Sequence, residues 1–272
     1  MKPVLWLVLI MFLGIAGYLF MYITYNRWNK FLLALIGIVS FEVTILWLFF
    51  DFYYFHWYDD WAWLLEVRSW KGIEFSSFLI GVFCGLVQRN VNKKLKLKDR
   101  FSRHNGIVLI LIIVLPPFIK PVLYPVHPKW ENTWDIGVCL QTTPYTCGPA
   151  STATVLNFYG VRRSEQEISR NTWLTKHGTE PWHLARYLRQ NGFKAKFISV
   201  PNEPGDLPIP CIVGVRIDGK KGKGHFLTIL EKTENTYTFG DPAVGRVKLS
   251  KEETFSVYYF VGFIIHVVPD NP

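Results

Sequence analysis

Hydrophobic positions follow two rhythms along this chain. Before Tyr124 they run almost unbroken for about twenty residues at a time; after Val138 they come in short runs bounded by Gly, Pro, Asn or Asp. Residues 4–25 hold no charge and are long enough to cross a bilayer, which takes about 20 residues. No clear small-residue cleavage site is present and another apolar stretch follows at once, so this segment reads as a span and not a signal peptide. The second stretch, residues 31–50, carries Glu42. A carboxylate facing lipid is costly, so Glu42 is expected at an inter-helix contact. Two weaker stretches, residues 72–88 and 106–124, complete a set of about four spans; the last is interrupted by Pro116, Pro117 and Lys120. Residues 51–71 are crowded with aromatics, among them Tyr53, Tyr54, Phe55, Trp57, Tyr58, Trp61, Trp63 and Trp70. Such rings favour the membrane–water interface, which predicts an interfacial belt or a short surface helix.

The second rhythm belongs to a different kind of domain. Residues 120–137 are rich in proline and tryptophan and read as a linker. Residues 147–158 read as a helix stopped by Gly160, Ser164-Glu165-Gln166-Glu167 opens another, and residues 181–190 form a third, with proline in the first turn and Gly192 beyond its end. Strands are predicted over 193–200, 210–217, 225–232, 236–240, 246–249 and 258–268, with a helical turn over 251–255. Helices first and strands after give an α+β domain with an antiparallel sheet. The expected organisation is a membrane domain over 1–124, a linker over 125–137 and an enzyme-sized domain over 138–272.

Charge bears on topology more than on partners. The net charge is +9, but much of the excess lies in one run, Arg89, Lys93, Lys94, Lys96, Lys98, Arg100 and Arg103, between apolar segments. No nucleic-acid-binding motif accompanies it, and such a run beside spans marks the cytoplasmic side. Arg27 and Lys30 then lie on that side too, while Asp51, Asp59, Asp60 and Glu66 lie outside; Lys2 alone runs against an outside N-terminus. Four spans put the C-terminal domain outside a bacterial plasma membrane. If the fourth segment only dips into the bilayer, that domain is cytoplasmic.

Candidate chemistry starts from four cysteines, Cys84, Cys139, Cys147 and Cys211. Their spacing fits no zinc ribbon, and neither a Walker motif nor a Rossmann fingerprint occurs, so no metal and no cofactor is expected. Cys84 falls in an apolar span. Cys139 and Cys211 lie in strand-like runs and either pair in an oxidising compartment or stay buried as free thiols. Cys147 is different. It opens a helix whose N-terminus favours a thiolate, with Gly148 allowing close approach and Pro149 needing no N–H partner. A cysteine nucleophile needs a base. Of seven histidines, His56, His104 and His127 belong to the membrane region, His177 and His183 to the surface of the helical part, and His266 to an apolar strand; His225 opens a strand after Gly222-Lys223-Gly224. Asp241 follows sixteen residues later in Gly240-Asp241-Pro242, where a hairpin returns it beside His225 as an orienting group. Gln141, six residues before Cys147, offers a side-chain amide to an oxyanion.

Gln141, then Cys147-Gly148-Pro149-Ala150, Asn157-Phe158-Tyr159-Gly160, Gly224-His225-Phe226 and Asp241-Pro242-Ala243-Val244-Gly245 together resemble family thirty-nine of the cysteine peptidases. These are bacteriocin-processing, papain-like peptidases usually found at the N-terminus of ABC exporters, and the resemblance covers residues 138–268. It implies a papain-like fold, with Cys147 as nucleophile, His225 as general base and acid, Asp241 as orienter and Gln141 in the oxyanion hole. It also implies cleavage through a thioester, typically after the Gly-Gly of a leader peptide. Three departures stand out: no ATP-binding motif is present, so an exporter or secretion partner would be a separate chain; the apolar segments precede the peptidase-like part; and the expected side is extracytoplasmic where exporter-linked members work in the cytoplasm, which argues against a double-glycine substrate. No Gly-Gly occurs in the chain either, which argues against self-cleavage at such a site. The expected function is a membrane-bound cysteine peptidase acting on a peptide or protein substrate beside the lipid bilayer. Its rivals are a silent peptide-binding module, and a peptide ligase or other acyl transferase using the same thioester.

Overall fold

The structure is a computed structural model that describes residues 3–54, 61–95, 99–203 and 205–270. Part of the aromatic stretch (Phe55, Trp57, Tyr58, with His56) and Lys96 and Lys98 of the basic run lie outside the described residues. The chain forms two compact units, one of Met1–Trp57 with Lys71–Leu123, the other of Tyr58–Trp70 with Tyr124–Pro272.

Among the described residues up to 123 the α-helices are α1 (Pro3–Thr24), α2 (Lys30–Tyr54), α3 (Ala62–Arg68), α4 (Ser77–Leu95), α5 (Asp99–Val114) and α6 (Pro116–Leu123). All but α3 belong to the first unit. By length and composition two helical segments, Pro3–Arg27 and Lys30–Tyr53, are able to cross a membrane; a third qualifies only if the sharply bent pair Ala62–Arg68 and Ile73–Leu95 is one span. The fourth expected span is broken between α5 and α6, where prolines remove backbone donors. α1 and α4 pack backbone to backbone through glycines: a Cβ on Gly81 would overlap the Gly14 carbonyl, and one on Gly17 the Phe78 carbonyl. On the inner face of α2 the Ser40 and Thr44 hydroxyls bond back to the carbonyls of Ile36 and Ser40, and Trp47 Nε1 donates to Ser76 Oγ at 2.8 Å. Glu42 departs from expectation. It is exposed, and among the described residues no hydrogen bond or ion pair to it is found, so the anticipated contact is not seen there.

The second unit is α+β. A hairpin of β1 (Trp134–Asp135) and β2 (Val138–Cys139) begins inside the expected linker. Helices α7 (Cys147–Phe158), α8 (Glu165–Asn171) and α9 (Pro181–Gln190) follow, their starts set by the features read from sequence: Ser164 caps α8 by accepting from Glu167 N, and Pro181 sits in the first turn of α9. Then come β3 (Phe193–Ser199), β4 (Cys211–Ile217), β5 (Lys223–Lys232), β6 (Thr236–Asp241), β7 (Gly245–Ser250), α10 (Lys251–Val257) and β8 (Tyr258–Pro269). The six long strands form one antiparallel sheet in the order β3-β8-β4-β5-β6-β7. Val213, Val215, Leu227, Ile229, Phe239 and Phe260 build a fully buried core on one of its faces. Such burial contributes about 1.5–3 kcal/mol per side chain before entropy is counted.

α7 is seated on β5 by reciprocal bonds: Ser151 Oγ donates to the Phe226 carbonyl and Thr228 Oγ1 to the Ser151 carbonyl, both at 3.0 Å. Where β6 passes α7 only a hydrogen fits; a Cβ on Gly240 would lie 2.9 Å from the Thr154 methyl.

α3 lies along the β3 edge of the sheet. Glu66 Oε2 accepts from Phe197 N of edge strand β3 at 3.0 Å, and Glu66 Oε1 takes Arg189 Nη2 of α9 at 2.7 Å. Arg186 Nη2 donates to the Arg68 carbonyl at 2.6 Å, at the C-terminal end of α3 where carbonyls lack partners. Arg189 Nη1 reaches Ser69 Oγ at 2.7 Å. The short surface helix foreseen among the aromatics is therefore a working part of the second unit, taken from within the expected membrane domain.

Candidate active site

Cys147 is the first residue of α7, where the free N–H groups of the first turn point outward. It is 7% exposed. The preceding loop is braced from below. Thr142 N donates to Glu165 Oε1 at 2.9 Å, Thr142 Oγ1 bonds Glu165 Oε2, and Glu165 is fully buried. Thr143 N donates to Thr146 Oγ1 at 3.0 Å, which closes the turn that delivers Cys147. Gly148 keeps the wall beside the sulfur thin, since a Cβ there would meet Leu184 at 3.2 Å and Phe226 at 3.4 Å.

β5 and β6 bring in the other two groups as neighbouring antiparallel strands. His225 Nε2 lies 2.8 Å from Asp241 Oδ1, with both side chains buried. This leaves Nδ1 for a proton from the thiol, and Cys147 is among the groups that raise the imidazole's pKa. Asp241 is held three ways: Oδ1 also accepts from Ala243 N at 2.8 Å, and Oδ2 accepts from Tyr258 Oη at 2.7 Å. Burial alone would lower the His225 pKa, but its bonds to Asp241 and Cys147 and their charges prevail and raise it to about 9. Burial likewise opposes ionisation of Asp241, yet the His225 bond and charge, the Ala243 N–H and the Tyr258 hydroxyl hold it below the usual carboxylate value.

Gln141 is tied to the same corner, its backbone N donating to the Pro242 carbonyl at 2.8 Å. The loop carrying Gln141 is thus joined to the turn that follows Asp241. Its Oε1 is buried without a hydrogen-bond partner among the described residues.

Other titratable groups stand apart. Cys84, Cys139 and Cys211 are buried free thiols; burial pushes Cys139 up to about 12, with the Glu165 charge adding to it. The open question of a Cys139–Cys211 bridge is answered by two unpaired thiols. His183 is not a surface residue. It is buried under the Trp173 ring, 4.6 Å between centroids, and accepts from Trp182 Nε1 at 3.1 Å. Burial first, then the charges of Arg186 and Arg68, holds it well below its ordinary value. Sequence reasoning missed Glu165 and Tyr258. Neither carried a local signal: after a helix-capping serine Glu165 reads as an ordinary first-turn carboxylate, and only the fold buries it and brings Tyr258 at the start of β8 to Asp241.

A thiol at a helix start, an imidazole held in one orientation and a neighbouring side-chain amide are the groups that acyl transfer would need. A family model described as the peptidase C39 family matches residues 135–271. An uncharacterised protein of Methanothermobacter thermautotrophicus is 30% identical over 118 residues, covering 43% of this chain and 80% of that protein. The probable microcin-H47 secretion/processing ATP-binding protein MchF of Escherichia coli is 25% identical over 153 residues, 56% of this chain and 20% of that protein. The peptidase domain of Streptococcus ComA, described as a bi-functional ABC transporter involved in a quorum-sensing pathway, matches at 26% identity over 48% of this chain and 96% of that domain, with a TM-score of 0.42.

Proposed function

The chain belongs to the peptidase C39 family, and from that premise we propose that it is a membrane-anchored cysteine peptidase with Cys147 as nucleophile. The Cys147 sulfur, its proton passed to His225, adds to a peptide carbonyl. The carbonyl oxygen takes the negative charge, and the Cys147 N–H with the Gln141 amide stabilises it. The C–N bond then breaks, His225 returns its proton to the leaving amine, and a thioester remains. Water, deprotonated by His225, adds to the thioester and releases acid and thiol. Asp241 keeps Nε2 of the imidazole occupied so that Nδ1 faces the sulfur throughout. The observation that carries this reading is the 2.8 Å pair of buried His225 and Asp241, with Cys147 opening α7, the helix seated on the strand that carries His225. Cys147→Ala is expected to abolish cleavage and thiol-probe labelling with the fold retained; cleavage persisting in that variant overturns the assignment.

The substrate class proposed is a peptide or leader peptide, supplied by a separate exporter or secretion partner. MchF, whose name joins secretion and processing to ATP binding, motivates that partner. Four crossings are proposed, with α4 and the α5–α6 pair completing the two long apolar helices, and the peptidase on the side opposite the basic run. The place of α3 supports this side. It lies between the second and third crossings and docks on the peptidase unit, so that loop and the peptidase share one face of the membrane. A reporter fused after Pro272 tests it: activity of an extracytoplasmic reporter is expected, and activity only of a cytoplasmic one rejects the four-span topology.

A further inference from the structure

β4 and β5 continue as a hairpin past His225. Val215 pairs with His225, Arg216 with Gly224 and Ile217 with Lys223, and residues 218–222 form the loop beyond. The backbone sets the shape of that loop. Asp218 and Gly219 both hold the left-handed conformation, at φ 64° and 85°, and Gly222 N donates to the Gly219 carbonyl at 2.9 Å. A Cβ on Gly222 would overlap the Ile217 carbonyl, so glycine is required there. The tip is basic. Lys220, Lys221 and Lys223 are exposed, and among the described residues none of them has an ion-pair partner. Asp218 is the one carboxylate between Val215 and His225.

These lysines stand beside the proposed catalytic groups. Lys223 and His225 are two residues apart on β5, so they share a face of the sheet and lie about 7 Å apart along it. Gly224, between them, faces the other side, as does Phe226. On that side α7 is seated on β5 through the Ser151 bond to the Phe226 carbonyl, and a Cβ on Gly148 would meet the Phe226 ring. At Gly224 the packing stops: no described atom lies within 4 Å of a Cβ placed there. A peptide laid past the start of α7 has room over Gly224 and continues towards the lysines.

We propose that this hairpin is a subsite for acidic side chains of the peptide substrate, with Lys223, backed by Lys220 and Lys221, selecting a carboxylate within about four residues of the scissile bond. The inference rests on reading Cys147 and His225 as a peptidase centre. The distance from His225 to Lys223 is two residues of an extended peptide, and the length of a lysine side chain adds about two more. Charge complementarity identifies the occupant, because three ammonium groups without partners attract anions. Their place on the strand of His225 ties them to the chain being cut; lipid headgroups would require no alignment with that strand. Lysine acts as a point charge on a flexible stem, so the subsite accepts Asp and Glu alike.

The test takes the full-length chain in phosphatidylcholine nanodiscs and a library of proteome-derived peptides, with cut sites read by mass spectrometry. Cuts made by the unaltered protein and not by Cys147→Ala are scored; if there are none, the peptidase reading falls and the subsite with it. Asp and Glu are expected to be enriched within about four residues of the scored cuts. One cleaved peptide is then compared with its counterpart carrying Gln for that acidic residue. The acidic form is expected to have a kcat/KM about fivefold higher, a ratio that shrinks with added salt. In Lys220→Gln/Lys221→Gln/Lys223→Gln the preference is expected to vanish, and Lys223→Glu is expected to turn it towards peptides with Lys or Arg at that place. Lys194→Gln/Lys196→Gln, exposed on β3, should keep the original ratio. No acidic enrichment among Cys147-dependent cuts, or a preference that survives the triple change, overturns the subsite and leaves the peptidase reading standing. A triple variant altered solely in its response to phosphatidylglycerol in the nanodisc also overturns it, and assigns the lysines to lipid headgroups.

Discussion

Asp241 and His225 meet at 2.8 Å across two adjacent strands, and the oxygen that touches the imidazole also accepts from Ala243 N two residues on. The imidazole is therefore oriented by a carboxylate that the turn itself holds rigid. Asp241→Ala is expected to lower kcat by on the order of 10²–10⁴. Asp241→Asn keeps an acceptor for Nε2–H and loses only the charge, so it should retain much more activity than the alanine variant. Steady-state rates of the two on one peptide check this; equal losses would mean that charge, and not orientation, is the contribution of Asp241.

The same pair fixes how stability responds to pH. The folded-state value of His225, about 9, lies above its ordinary 6.5. Its contribution to stability is thus fully present below about 6.5 and is lost as pH rises through about 9. Asp241 is shifted the other way, below 3.8, so its contribution is present above that value and is lost as pH falls through its lower folded value. The melting temperature should decline on the alkaline side between pH 6.5 and 9, and Asp241→Asn should flatten that decline. Thermal melts across this range decide the matter; an unchanged alkaline limb in the variant would count against the coupling.

Tyr258 donates to the remaining oxygen of Asp241 from the start of β8. Tyr258→Phe removes one hydrogen bond to a buried charge, and a loss of about 1.5–3 kcal/mol in denaturant unfolding is expected. Turnover should drop by less than tenfold, because the two contacts to Oδ1 persist.

Glu165 braces the loop that follows Gln141 through Thr142. Glu165→Ala strands a backbone N–H and a hydroxyl, costing about 1–3 kcal/mol. It should also reduce kcat more than it raises KM, since the loop it braces carries Gln141. Glu165→Gln keeps an acceptor and should fall between. A change confined to KM would place this loop in substrate binding instead.

Arg189 links α3, α9 and β3, bonding Glu66 Oε1, Ser69 Oγ and, through Nε at 2.8 Å, the Ala195 carbonyl. Arg189→Ala is expected to speed amide exchange at Phe197, whose N–H is held by Glu66. Exchange by mass spectrometry on the full chain measures this, with β5 as the unchanged reference.

Local signals were legible wherever one residue dictates backbone geometry. Cys147 to Phe158 and Pro181 to Gln190 came out as helices with these same ends, because Gly160 and Gly192 adopt the left-handed conformation that stops a helix. The hairpin that returns Asp241 to His225 was legible from strand alternation. What escaped depends on contacts distant in sequence. Glu66 meets Phe197 across 131 positions and Arg186 meets Arg68 across 118, so neither the role of α3 nor the burial of His183 beside Arg68 and Trp182 leaves a local trace. Glu42 reads on physical grounds as an inter-helix contact, but in the structure it is exposed.

The position of α3 also dictates an order of assembly. Ala62–Arg68 leaves the ribosome well over a hundred residues before β3 and α9, its eventual partners, exist. Contacts of such long sequence separation form late. During synthesis this helix must wait with its hydrogen-bonding groups turned to water or lipid headgroups, and the edge of the sheet closes only when the last part of the chain comes back to meet it. A nascent chain stalled before β3 would therefore present α3 unshielded, a transient handle for membrane-bound chaperones and proteases that the finished protein withdraws.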